Sequence, residues 1–176
     1  MKDALLLVDL INGFDHDDGD RLLESFRQRL SSMQAAISHA RRSEIPAIYV
    51  NDDAGRWDGD APELVRSAIE EGRGGDVVAL VAPGDGDRIV VKPRYSGFDH
   101  TPLALLLEEL KVERILLAGA ATEGCVVQTA IDARELGYKV TILADACATN
   151  DERLERIALH YAEQVVGVRI ASATDL

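Results

Sequence analysis

The feature that most constrains the fold is a series of short runs, apolar at nearly every position, separated by longer amphipathic stretches. The runs are Ala4 to Leu10, Pro46 to Asn51, Arg88 to Lys92, Arg114 to Gly119 and Tyr138 to Asp145, with a weaker one from Val165 to Ala171. A strand with one wet face alternates apolar and polar residues; runs without alternation suit strands covered on both faces, as in a parallel sheet. The stretches between them read as helices. Arg21 to Ser43 places Leu22, Leu23, Phe26, Leu30, Met33, Ala36, Ile37 and Ala40 close to a 3.6-residue period. Thr101 and Pro102 read as an N-cap and a first-turn proline, opening a helix to Leu110. Glu123 to Leu136 is a third helix, closed by Gly137, and Asn150 to Ala162 a fourth, capped by Asn150 or Asp151. This alternation predicts a three-layer, doubly wound α/β fold: a six-stranded, mainly parallel sheet with helices on both faces. Asp52 to Gly86 is the least regular segment, rich in Gly and Asp, with a short helix from about Pro62 to Glu71. Long loops in compact domains often belong to sites.

At 176 residues the chain suits one domain, residues 1–176. A formal net charge of -12 argues against nucleic-acid and anionic-membrane partners, both of which would repel it. No apolar stretch approaches the roughly 20 residues that cross a bilayer. The first apolar run has an acid at each end and lacks the marks of a signal peptide. Two cysteines, Cys125 and Cys147, make no disulfide framework. A reducing, cytoplasmic setting is therefore expected, in which a working thiol stays free.

Ligands of open α/β sheets bind beyond the carboxyl ends of the strands. Those ends carry Asp9 on strand one, Asn51 and Asp52 on strand two and Lys92 on strand three. Strand four ends in Gly119 and leads to Cys125, and strand five ends in Asp145 with Cys147 just beyond. An acid, a lysine and a thiol thus share one edge. A thiol of pKa about 8.5 is mostly protonated at neutral pH. A carboxylate can take its proton and an ammonium can stabilise the anion. Cys125 also opens a helix, where unpaired N–H groups favour an anion and can receive an oxyanion. Taken singly, each residue has an ordinary structural reading: a buried cysteine, a turn-capping aspartate, a solvated strand-end lysine.

Five blocks sharpen the reading: LLVDLINGF (Leu6 to Phe14), VNDDAGRW (Val50 to Trp57), VVKPRYSGFDHTPL (Val90 to Leu103), LLAGAATEGCVVQTAIDARELGYKV (Leu116 to Val140) and LADACAT (Leu143 to Thr149). Together and in this order, they resemble the isochorismatase-like cysteine hydrolases, which include nicotinamidases, N-carbamoyl amide hydrolases and ureidoacrylate hydrolases. The resemblance implies a catalytic triad of Asp9, Lys92 and Cys125. It implies a non-proline cis peptide at Ala120–Ala121 and an oxyanion hole built from the N–H groups of Ala121 and Cys125. Phe14, Trp57, Arg94, Tyr95 and Thr122 become candidate substrate-binding residues, with Arg56 on the rim. Those side chains suggest a planar or carboxylate-bearing substrate. The implied activity is hydrolysis of an amide or carbamoyl C–N bond of a small molecule through a thioester, without a cofactor, in a homo-oligomer.

Members that carry a metal commonly place an Asp-x-His pattern after the second strand. Here NDDAGRWDGD has no histidine, and His16, His39, His100 and His160 lack ligand spacing, so no metal is expected. Asp52 and Asp53 read as a solvated acidic loop rather than a cation site. Gly13 and Glu123 depart from the usual motif and point to an altered pocket rim, while Asn12 orients Asp9 or its loop. Cys147 reads as packing. The alternatives are a vinyl-ether hydrolase of the isochorismatase type, against which Cys125 argues, and a non-catalytic or thiol-redox protein. The first strand lacks a G-x-G-x-x-G turn, against a dinucleotide site.

Overall fold

The computed structural model describes residues 1–52 and 60–176. Six strands form one sheet: β1 (Asp3–Val8), β2 (Ala47–Asp52), β3 (Arg88–Lys92), β4 (Arg114–Gly119), β5 (Lys139–Cys147) and β6 (Arg169–Ala171). Their order is β3-β2-β1-β4-β5-β6, and every adjacent pair is parallel. The chain winds outward from β1 to β3, returns to lay β4 beside β1, and winds outward the other way. Val8 faces both Val50 and Gly119 in register, so β1 and β4 end level at the reversal.

Alternate residues of the central strands feed two cores. Leu5, Leu7, Tyr49, Leu116 and Ala118 face α1 (Gly19–Arg42), which contributes Leu22, Phe26, Met33 and Ile37. The helices α2 (Ala61–Glu70) and α3 (Gly75–Val78) complete that layer with Ala68, Val77 and Val78. On the other face, Leu6, Val8, Ile48, Val50, Ile115 and Leu117 meet α4 (Leu103–Glu109), α5 (Val127–Glu135) and α6 (Glu152–Tyr161). This double burial explains the absence of alternation in the strand sequences.

Helix ends follow local chemistry. Thr101 Oγ1 accepts from Leu103 N at 3.2 Å, and Asp151 Oδ1 accepts from Arg153 N and Leu154 N. Gly137 takes φ +92° after α5, the left-handed conformation expected of a closing glycine.

Three elements differ from the sequence reading. The third expected helix is broken: Thr122–Val126 forms a wide, π-type turn around a non-helical Gly124 before α5 begins. Val165 is not in a strand, because α6 runs on through a second wide turn (Ala162–Val166) to Gly167 at φ +76°, leaving β6 three residues long. β5 extends to Cys147, which pairs with Gly119 across a bulge in the β4–β5 register. The bulge frees the Asp145 carboxylate to accept from Ser172 Oγ and Ala173 N, each at 2.7 Å. No helix among the described residues is long and apolar enough to cross a membrane.

Candidate active site

The crevice at the β1–β4 reversal is where an open parallel sheet exposes strand-end groups on both sides. Asp9 follows β1 with φ 49°, its N–H bonded to Val50 O at 3.0 Å. The turned backbone aims the carboxylate across the edge. Its Oδ1 accepts from Asp52 N at 2.7 Å and its Oδ2 lies 2.9 Å from Lys92 Nζ. Lys92 ends β3, two strands away, and its buried side chain reaches back over β2. Its ammonium has three donors and three partners: Asp9, Arg94 O at 3.0 Å and Cys125 Sγ at 3.5 Å. Lys92 Nζ thus bridges the Asp9 carboxyl and the Cys125 thiol. The three predicted triad residues form one cluster.

The nucleophile turn is anchored on both sides. Gly119, at φ +134°, brings β4 so close to β1 that a Cβ would sit 2.0 Å from Val8 O. Ala120 N donates to Val8 O and Thr122 N to Ala148 O, both at 2.8 Å. The Ala120–Ala121 peptide is cis. Ala121 O accepts from Gly124 N and Val126 N. Among the described residues, no acceptor takes the N–H of Ala121. Thr129 Oγ1 donates to Cys125 O at 2.7 Å and accepts from Gly97 N at 3.0 Å, joining the nucleophile helix to the chain that follows Lys92.

Burial dominates the electrostatics. It raises the Asp9 pKa above its usual value even though Lys92 pulls it down. The Cys125 thiol is pushed up to about 12 by burial and the Asp9 charge, against the lowering influence of Lys92. Burial alone would lower the Lys92 pKa, but its acidic neighbours, Asp9 first, outweigh it and raise it. The thiol is therefore neutral at rest, beside the Lys92 ammonium and the Asp9 carboxyl. Passing the thiol proton to Asp9 leaves the total charge unchanged. The low-dielectric site thus opposes this internal transfer far less than ionisation to solvent.

The remaining predicted residues divide. Arg94 and Tyr95 are exposed and line a cavity of about 470 Å³, bordered also by Asp52, Ser96, Asp99 and Gln128. Phe14 is not a pocket wall: it is 1% exposed, at φ 57°, with its ring edge-on to Phe26 at 5.5 Å. Thr122 is fully buried, its hydroxyl 3.0 Å from Ala148 O and from Glu155 Oε1, so it faces the interior rather than a substrate. Glu123 leaves the rim to accept from Thr149 Oγ1 and Asn150 N. Asn12 Oδ1 accepts from Phe14 N and so orients the loop. Asp53, Arg56 and Trp57 lie outside the described residues. Cys147 is fully buried in the core, the packing role expected of it. No group of three His, Cys, Asp or Glu residues among the described residues is placed to hold a metal. Sequence reasoning missed Thr129, Arg29 and Glu155. Only Thr129 carried a signal, its one-turn spacing from Cys125.

A model of the isochorismatase domain matches residues 3–174. The chain belongs to the isochorismatase family. Among its relatives in the family, the protein YaaI of Bacillus subtilis is 36% identical over 169 residues, covering 96% of this chain and 93% of its own. The ureidoacrylate amidohydrolase RutB of Serratia proteamaculans is 29% identical, covering 93% of this chain and 77% of its own. The crystal structure of N-carbamoylsarcosine amidase from Thermoplasma acidophilum superposes with a TM-score of 0.79 at 26% identity, covering 100% of this chain and 99% of that one. The isochorismatase fold thus extends through the whole described chain.

Proposed function

We propose that this isochorismatase-family chain is a cysteine-dependent hydrolase that cleaves an amide or carbamoyl C–N bond of a small molecule through a thioester. The observation that carries the reading is the three-way contact of Lys92 Nζ with Asp9 and Cys125, at 2.9 and 3.5 Å. The names of the relatives, amidohydrolases of ureidoacrylate and maleamate, support the bond class.

Asp9 takes the Cys125 proton, and the thiolate, facing Lys92, attacks the substrate carbonyl carbon. The negative oxygen is received by the N–H groups of Ala121 and Cys125. Collapse breaks the C–N bond as Asp9 returns the proton to the leaving nitrogen. Asp9 then deprotonates a water that attacks the thioester, releasing the acid and restoring the thiol.

The test is ammonia release from a panel of small amides and N-carbamoyl compounds by the parent protein and by Cys125→Ala. Activity lost in the variant, with a thioester adduct trapped on Cys125 by intact-mass analysis, is the expected result. Activity that survives the substitution would remove Cys125 as the nucleophile.

A further inference from the structure

Beneath the nucleophile turn lies a polar cluster that the reaction above does not use. Glu155, in α6, is 6% exposed and accepts from both terminal nitrogens of Arg29, at 3.1 and 2.9 Å. Arg29 Nη1 also donates to the carbonyls of Ala144 and Cys147, at 2.7 Å each, which pins the guanidinium to the bulged end of β5. Glu155 Oε1 in turn meets Thr122 Oγ1 at 3.0 Å. That hydroxyl has one proton and two acceptors in reach, Glu155 and Ala148 O. Ala148 O already receives the Thr122 N–H at 2.8 Å, and a carboxylate is the stronger acceptor, so the proton points to Glu155.

A buried ion pair is a poor source of stability, because apolar side chains of similar volume do as well or better. What the pair supplies here is fixed geometry at one peptide. Thr122 directly follows Ala121, and Ala121 O anchors Gly124 and Val126 on either side of Cys125. A shift of Thr122 would therefore displace the N–H groups of Ala121 and Cys125. Asp9 and Lys92 reach Cys125 from the β1–β3 side and share no hydrogen bond with this cluster.

We propose that Glu155, clamped by Arg29, is a positioning residue: through the Thr122 hydroxyl it holds the N–H groups of Ala121 and Cys125 where the oxyanion forms. The inference rests on the cysteine-hydrolase reading and assigns a separate task to residues that never touch substrate. Thiol reactivity belongs to Asp9 and Lys92; oxyanion geometry belongs to Glu155 and Thr122.

The two tasks are read by two reagents on Cys125. Iodoacetamide alkylates the thiolate by displacement and forms no oxyanion, whereas 4-nitrophenyl acetate acylates it through a tetrahedral oxyanion. In Glu155→Gln the acylation rate should fall by about tenfold or more, part of the loss seen when a whole oxyanion donor is removed. Alkylation should stay within about twofold, since nothing in that displacement uses the hole. Thr122→Val, nearly isosteric, should reproduce the loss, and Thr122→Ser should restore acylation; this pair carries the test if Glu155→Gln folds poorly. Rates that fall together, or an unchanged ratio of acylation to alkylation, would overturn the assignment. A Cys125 inert to both reagents in the parent protein, with Cys125→Ala as blank, would instead sink the hydrolase reading beneath it.

Discussion

Lys92 Nζ sits 2.9 Å from Asp9 Oδ2 although their strands, β3 and β1, are separated by the whole of β2. The contact exists because Lys92 is the register partner of Asp52, whose own N–H holds the other oxygen of the same carboxylate. One strand end thus fixes both the distance and the orientation of the pair.

Removing the cation should expose the cost of that burial. Lys92→Met leaves the Asp9 carboxyl, 8% exposed, without its counter-charge, a change that costs about 3–5 kcal/mol while the carboxylate remains ionised. The Asp9 pKa is already raised by burial and rises further once Lys92 is gone. Below that raised value the folded state keeps the proton and the cost shrinks; as pH rises through it the folded state loses stability. Urea denaturation midpoints of parent and variant should diverge as pH rises above the ordinary 3.8 of an aspartate. Curves separated by a constant interval would contradict the prediction.

The same carboxyl should set the acidic limb of reactivity. Asp9 accepts the thiol proton only when ionised, so Cys125 alkylation should fall as pH drops through a value above the ordinary 3.8 of an aspartate. The thiol, pushed up to about 12, adds nothing by direct ionisation near neutrality. Rates of iodoacetamide labelling in the parent should therefore rise through the Asp9 pKa and then level off. In Asp9→Asn they should climb only towards alkaline pH. A parent profile that rises with an ordinary cysteine pKa would rule out Asp9 as the base.

Thr129 couples the lysine side of the site to the nucleophile helix. Thr129→Val keeps the shape but removes the donor to Cys125 O and leaves the Gly97 N–H buried without its acceptor. A loss of about 1–3 kcal/mol is expected for the stranded donor. Thr129→Ser should retain most of the stability and labelling rate. Chemical denaturation with Cys125 labelling measures both, and a valine variant as stable as the parent would show the bridge to be idle.

Gly119 joins the two halves of the sheet at their closest point. In Gly119→Ala, a methyl 2.0 Å from Val8 O and a φ of +134° must both be relieved by separating β1 from β4. The expected cost is about 3 kcal/mol, at the upper end for overpacking combined with backbone strain. Thermal unfolding of the alanine variant should occur well below the parent. Equal midpoints would mean that the strands part easily.

The amino-acid sequence alone determined the strands, their parallel layering and the three side chains at the working edge. It could do so because these depend on local quantities. Unbroken apolar runs demand two covered faces, and parallel strands bring all carboxyl ends to one edge, so Asp9, Lys92 and the turn holding Cys125 must converge. Tertiary structure alone decided where side chains point once the strands have ended. Phe14 and Thr122 lie in motifs beside the site, yet a φ of 57° turns Phe14 onto Phe26, and Glu155 draws the Thr122 hydroxyl inward. Glu155 is one of 31 acids, and nothing local distinguishes it. Its role arises from Arg29, 126 residues away, and Thr122, 33 residues away, which meet it only after both helical layers have closed on the sheet. A buried charge is defined by its partners, and partners that distant are chosen by packing rather than by local pattern.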